Sequence, residues 1–414
     1  MGFLRREIRT VQDIAQRDLC SGCGACSYIC PAGAVSLINI PSAGIRPLVR
    51  SADCRATCRD CLDICPGYAV DGGLATGERA APNGAVPALG PALEVWEGFA
   101  SDAEIRYRGS SGGILTAIAL YCLERERMSS VLHTGANPAE PCLNRTVESR
   151  TRADLLAHTG SRYAPASPCD GLAKIEASAG SCVFIGKPCD TAALAKSRQL
   201  RPELDRKLGL VLTFFCAGTP STLGTLDLLK DLGMPHRQIE SLRYRGEGWP
   251  GAFKVRSRAD GSDRSLAYEQ AWGRLTAFRP WRCLICPDGL GRVADISCGD
   301  AWERLGSSDG NGVSVVVVRT PRGREILHQA RAAKYVDLEP ASASVVRAAQ
   351  AHQIQRHREV LGRLRGMRLL LRSTPHFVGF SLDSSWDELS IPKKARTILG
   401  TARRLLTRGR RLPY

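Results

Sequence analysis

The chain contains no apolar run approaching the ~18 residues that a membrane-crossing helix needs. Its most hydrophobic stretches, "LGLVLTFFCAG" and "GVSVVVV", are strand-sized. The first residues, "MGFLRREIRT", are charged and have no apolar core, so a secretory leader is not expected. The sequence has neither H-E-x-x-H nor a phosphate-binding P-loop, and its seven histidines are scattered, several of them beyond residue 350, which leaves a zinc-peptidase or nucleotide-hydrolase reading without a motif. What it has in excess is cysteine. Seventeen cysteines in a chain without a leader point away from a disulfide framework and toward metal ligation in a reducing, cytoplasmic compartment.

Charge is unevenly placed. The net charge is +16, yet residues 343–414 hold 15 Lys/Arg against 4 Asp/Glu, leaving 42 basic and 37 acidic residues in the first 342. The body is therefore mildly basic and the C-terminal segment carries most of the excess. Aromatic side chains that would stack on bases are sparse in that segment, so nucleic acid is not the expected partner.

Residues 1–70 contain a repeated unit, "CSGCGACSYICP" and "CRATCRDCLDICP". The first, with Cys20, Cys23, Cys26 and Cys30 followed by proline, has the C-x2-C-x2-C-x3-C-P spacing of bacterial two-cluster ferredoxins. Two-residue gaps let three thiolates from one loop reach three irons of a cubane, while the fourth is aimed at the neighbouring cluster. The second unit, Cys54, Cys58, Cys61 and Cys65, repeats the plan with one extra residue in its first gap. Crossed ligation predicts Cys20, Cys23, Cys26 and Cys65 on one 4Fe-4S cluster and Cys54, Cys58, Cys61 and Cys30 on the other. Structural zinc is the alternative, and it usually separates its two cysteine pairs by a longer loop.

Residues 71–94, rich in Gly, Ala and Pro, read as a linker. Residues 95–342 alternate strand-sized apolar runs with helical stretches, which predicts an α/β domain. "SSGGILTAIALYCLERER" reads as a serine-capped helix with Ile114, Leu115, Ile118 and Cys122 on one face; "SCVFIGKPCDTAALAKSR" as a strand, a turn and a helix opening at Asp190; "GAFKVRSRADGSDRSLAY" as a hairpin. The overall class is α+β: a small ferredoxin-like two-cluster module, an α/β flavin-binding domain and a basic helical tail over 343–414. Clusters carry single electrons, and flavin is the usual converter between one- and two-electron chemistry, so the α/β domain is expected to supply one.

Five motifs stand in order in that domain: "SSGG" at 110–113, "GSRYAPA" at 160–166, "GKPCDTAAL" at 186–194, "FFCAGTPS" at 214–221 and "CLICPDGLGRVADISCGDAW" at 283–302. Together they resemble the coenzyme F420 hydrogenase/dehydrogenase beta-subunit family, including variants with an N-terminal ferredoxin module. The resemblance implies FAD beside an iron-sulfur cluster, a ferredoxin or partner redox subunit on one side and a small-molecule two-electron acceptor on the other. Ser110, Ser111, Gly112 and Gly113 would open a helix toward the cofactor phosphates, against the alternative of a plain cap with close packing. Ser161 and Arg162 would contact the flavin, or else lie in a solvated loop. Lys187 would contact the ring or stabilise its reduced anion, and Asp300 would orient substrate or flavin, unless it only caps a loop. Cys189, Cys216, Cys283 and Cys286 would close a third 4Fe-4S site, or one of Cys189 and Cys216 would sit near the flavin as a redox or packing residue. The remaining Cys122, Cys142, Cys169, Cys182 and Cys298 read as core.

In the tail, Ala395, Ile398, Leu399, Ala402, Leu405 and Leu406 fall on one helical face, with Lys393, Lys394, Arg396, Arg403, Arg404 and Arg408 largely elsewhere. This suits an anionic membrane surface at the inner face, a helix docked on its own protein, or an acidic partner. The function expected is an iron-sulfur flavoprotein oxidoreductase passing electrons between a ferredoxin-like donor and a two-electron acceptor, with coenzyme F420 one candidate acceptor. A pure electron-transfer subunit, or a reductase of a tetrapyrrole or glycan-pathway intermediate, fits the same residues.

Overall fold

A computed structural model describes residues 7–50, 52–54, 58–73, 87–305 and 310–408. Most of the expected linker, 74–86, lies outside them. An eight-stranded mixed sheet forms the body, in the spatial order Val336–Ala341, Glu94–Ala100, Ser314–Val318, Ile296–Asp300, Leu208–Phe214, Cys182–Gly186, Ser130–Ala136 and Asn144–Ser149. The four strands Ser130–Ala136, Cys182–Gly186, Leu208–Phe214 and Ile296–Asp300 are parallel, and the strands outside them are antiparallel. All five residues of "SVVVV" are buried, as a central strand covered on both faces requires. The hairpin around Gly261 forms as expected, pairing Ala252–Ser257 with Asp263–Ala267.

The helix ends differ from expectation. Ile114–Glu124 is not capped by serine: Gly113 takes the N-cap with φ 77°, where an added Cβ would lie 2.9 Å from Ile105 O, so packing and backbone hand decide the residue. Pro188–Leu200 begins before Asp190, because proline suits the first helical position and the Asp190 side chain reaches back to accept from Lys187 N–H.

The cysteine module is not a detached bead. Its hairpin, Val35–Ile40 with Gly44–Val49, and its short helices Ala25–Ile29 and Asp60–Asp63 flank the cysteine loops. Ile29 and Ile64 share a core with Leu132, Phe184 and Leu194 of the α/β domain, and Val11, Ile14 and Leu62 share another with Val360, Leu364 and Leu405 of the C-terminal segment. That segment is helical, as expected, but it folds back. Strand His376–Val378 pairs with Ala69–Asp71 of the module, and the long helix Ala351–Leu369 lies between sheet and module with Ile391–Arg408 packed along it.

Candidate redox site

Two turns bring the module's thiols together. Gly22 and Gly24 both have left-handed backbones, and a Cβ on Gly24 would lie 2.9 Å from Ser167 Cβ, so the loop presses on the α/β domain at that glycine. Cys20, Cys23, Cys26 and Cys65 line one small cavity walled by Val11, Leu37, Ile45, Pro47 and Ile64. Burial pushes the Cys26 thiol well up, and the neighbouring thiols of Cys23, Cys20, Cys65 and Cys61 push it further. Burial likewise pushes Cys61 up to about 11, with Cys58, Cys30 and Cys54 as its near neighbours. The chain thus sends Cys30 toward the second unit's cysteines and Cys65 toward the first's. Backbone N–H groups of Gly22 and Ala34 donate to Cys20 Sγ and Cys30 Sγ, each at 3.3 Å.

All seventeen cysteines are free thiols. Among the described residues, no group of three or more His, Cys, Asp or Glu side chains converges closely enough for a single metal ion. Buried thiols that oppose one another's ionisation suit a cationic iron core between them.

Cys189, Cys216, Cys283 and Cys286 also converge. Cys189 sits in the first turn of Pro188–Leu200, Cys216 just beyond Leu208–Phe214, and the other two on the turn around Trp281–Leu284. Burial pushes Cys216 up to about 12, with Cys283 and Cys286 nearby adding to it and the Arg356 guanidinium opposing it. Burial raises Cys189 well above its ordinary value, with Cys216 and Cys286 among its neighbours. Arg356 and Arg279 donate to the backbone carbonyls of Cys216 and Ala217, both at 2.9 Å, so two cations stand over this set.

Beside these thiols, at the C-terminal ends of the parallel strands where α/β sheets place ligands, lies a cavity of about 620 Å³. Ser110, Ser111, Gly113, Ser161, Arg162, Lys187, Cys216 and Asp300 all line it. Ser110 Oγ accepts from Ser161 N–H at 2.6 Å, which ties two of the sequence motifs into one wall. Ser111 Oγ is bonded to Val313 O at 3.0 Å. Gly112 does not face the cavity; its N–H donates to Ser314 Oγ at 2.9 Å, and a Cβ there would lie 2.6 Å from Gly98 O.

Arg162 spends its donors on scaffold: Asn144 Oδ1 at 2.7 Å, Leu242 O at 2.8 Å and Pro141 O at 2.6 Å. Lys187 is buried, donating to Asp190 Oδ2 at 2.8 Å and Ala166 O at 3.0 Å, which leaves one of its three N–H groups. Burial pushes the Lys187 ammonium down, but Asp190 more than offsets it and holds the proton on. Asp190 Oδ1 is buried without a hydrogen-bond partner. Asp300 receives a bidentate pair from Arg245, at 2.8 and 3.0 Å, and the Trp249 indole N–H at 2.8 Å.

Sequence reasoning missed several lining groups. His133 sits at the midpoint of Ser130–Ala136, where no strand-end rule marks it; burial lowers it to about 4, so it is neutral at pH 7. Tyr268 and Trp302 stack with ring centroids 5.5 Å apart, and Gln350 and Gln353 arrive from the C-terminal segment. Nothing in local periodicity marks those four.

Comparison with known proteins places this arrangement. Family models for the coenzyme F420 hydrogenase/dehydrogenase beta subunit match at its N-term, residues 95–174, and its C terminus, residues 180–344, and a 4Fe-4S binding domain model matches residues 16–36. A coenzyme F420-dependent sulfite reductase from Methanocaldococcus jannaschii is 22% identical over 80% of this chain, which spans 48% of that protein. A coenzyme F420 hydrogenase subunit beta from Methanothermobacter thermautotrophicus is 26% identical over 61% of this chain and 86% of that one. In fold, the chain is similar to a chain of the F420-reducing NiFe hydrogenase complex from Methanosarcina barkeri, with TM-score 0.53, 22% identity, and coverage of 68% of this chain and 95% of that one. The two matched halves follow one another across the sheet that carries the cavity and the four convergent thiols, and so the chain belongs to the coenzyme F420 hydrogenase/dehydrogenase beta subunit family of oxidoreductase subunits.

Proposed function

We propose that the chain moves electrons between a one-electron donor and a two-electron acceptor, with two 4Fe-4S clusters in the cysteine module, a third on Cys189, Cys216, Cys283 and Cys286, and FAD in the 620 Å³ cavity. One observation carries this reading: Cys216, one of the four neighbouring cysteines, stands in the wall of that cavity. Bound there, FAD supplies the exchange between single electrons and electron pairs. The volume falls within the usual range for ligand pockets. The N-terminus of Ile114–Glu124 offers unpaired backbone N–H groups to a pyrophosphate. Lys187, kept protonated by Asp190, offers its remaining N–H and its charge where a reduced ring gathers negative charge. His133, neutral and bonded to Ser149 Oγ at 2.8 Å, adds a polar contact without a charge.

Coenzyme F420, named in the relatives, is the acceptor we favour, and a partner redox subunit or ferredoxin is the donor. The test is to mix the anaerobic chain with reduced ferredoxin and coenzyme F420 and follow the acceptor's absorbance. Catalytic turnover is expected. Cluster and flavin reduction without turnover of this or any small acceptor would instead favour an electron-transfer subunit that serves a larger complex, which the relatives' status as subunits supports.

No helix among the described residues is long and apolar enough to cross a membrane. We place the chain in the cytoplasm, peripheral to an anionic membrane. In Ile391–Arg408, Leu405 is buried against the protein, while Ile391, Leu399 and Leu406 are 82%, 67% and 66% exposed. Arg396 and Arg403 lie beside that stripe, which matches an interfacial helix. Full-length chain is expected to sediment with phosphatidylglycerol vesicles and to lose that binding on Leu399→Asp with Leu406→Asp, and equally in high salt. Unchanged sedimentation of the double variant would sink the idea.

A further inference from the structure

The cysteine module and the α/β domain meet at the short turn Pro168–Gly171, and the contact there is unusually specific. Ser167 Oγ donates to Gly22 O at 2.7 Å. Two residues on, Cys169 N–H donates to the carbonyl of Cys23 at 3.1 Å. The Cys169 side chain, 0% exposed, turns the other way and its Sγ donates to the carbonyl of Asp190 at 3.4 Å. Asp190 is covalently joined to Cys189. A single residue thereby connects Cys23, a ligand proposed for the inner cluster of the module, to Cys189, a ligand proposed for the third site, through two hydrogen bonds and one peptide link. Cys169 stands in no sequence motif, and by residue type alone it reads as core. Packing explains its burial, but it does not call for both of its polar groups to be bonded to the ligand-bearing segments of two different sites.

We propose that electrons cross from the module to the α/β domain along this chain, Cys23 to Cys169 to Asp190 to Cys189, with Cys169 as the positioning residue of the junction. The proposal rests on the three-cluster reading above. One electron leaves the inner cluster, which is oxidised, and the third cluster gains it and is reduced; no covalent bond forms or breaks and no proton moves. The order of the wire follows. The cluster on Cys20, Cys23, Cys26 and Cys65 is the one bonded to the domain, through the Cys23 carbonyl, and the cluster on Cys30, Cys54, Cys58 and Cys61 is the port for an external one-electron donor. Hydrogen bonds matter here because electron tunnelling falls more steeply across an empty gap than along bonded atoms.

The test uses the full-length holoprotein. One equivalent of a reduced two-cluster ferredoxin, a donor too large to enter the buried third site, is mixed with the chain, and reduction of each cluster is followed by freeze-quench electron paramagnetic resonance. Cys169→Ala removes the Sγ bond, Cys169→Ser restores a donor to Asp190 O, and Ser167→Ala cuts the neighbouring interface bond that is off the route. The expected result is that Cys169→Ala keeps its iron and flavin but reduces the third cluster several-fold more slowly, while Cys169→Ser and Ser167→Ala stay close to the parent. Equal rates in Cys169→Ala and the parent, both holding about twelve irons, at four per cubane, would overturn the junction alone. A parent chain holding only about eight irons would remove the third site and the proposal with it. Equal slowing in Cys169→Ala and Ser167→Ala would also overturn it, since that would mark loosened docking and not a route.

Discussion

Replacing Cys283 by serine is expected to lower the iron content by about four atoms per chain, from about twelve to about eight, because each cubane holds four. The loss should be confined to one cluster. Cys283 lies on the short helix Trp281–Leu284, whose fold is held by its neighbours: Trp281 is buried and its indole N–H donates to Met367 Sδ at 3.3 Å, while the buried Arg282 donates to Pro66 O at 2.9 Å. Serine is close to isosteric with cysteine, so the turn should persist while a thiolate ligand disappears. The module's cysteines sit on separate loops; Trp281 and Ile285 pack in the same core as several of them, and the substitution leaves both in place. Flavin retained at parental stoichiometry would show that the variant still folds. Unchanged iron in Cys283→Ser would refute the third site.

Asp300→Ala is expected to cost stability before it costs anything else. Arg245 is 2% exposed, and its guanidinium is paired bidentately with Asp300 beside the stacked rings of Tyr268 and Trp302, 4.5 and 5.1 Å from their centroids. Removing the carboxylate leaves that buried cation without a counter-charge and also frees the Trp249 indole N–H. Loss of one member of a buried pair costs roughly 3–5 kcal/mol. A denaturant midpoint well below the parent's is the expected result, in chain stripped of cofactor as well as loaded chain. Asp300→Asn should fall less far, because the amide oxygen can still accept from Trp249. A variant as stable as the parent but inactive would instead give Asp300 the direct chemical role that its motif suggests.

The parts of this molecule written in short, local patterns were the legible ones. The cysteine spacing pointed to clusters because ligands on one loop must be two or three residues apart, and the strand-turn-helix runs marked the sheet edge on which Lys187, Cys189 and Cys216 stand. The parts made by long-range contact were not. His376–Val378 pairs with Ala69–Asp71, and Gln350 Nε2 donates to Asp300 O at 3.0 Å, yet neither stretch carries a signal of its distant partner. The basic C-terminal segment therefore read as a tail, although it completes the cavity wall. Arg162 illustrates a second limit: a motif arginine beside a cavity looks the same in sequence whether its donors point to a ligand or to Asn144, Leu242 and Pro141.

The central claim is that one chain joins a two-cluster module, a third cluster and a flavin. It is tested most directly by purifying the chain under anaerobic conditions and counting iron, acid-labile sulfide and flavin. The account predicts about twelve irons with matching sulfide, at four per cubane, and one FAD per chain. Zinc without sulfide or flavin would contradict it.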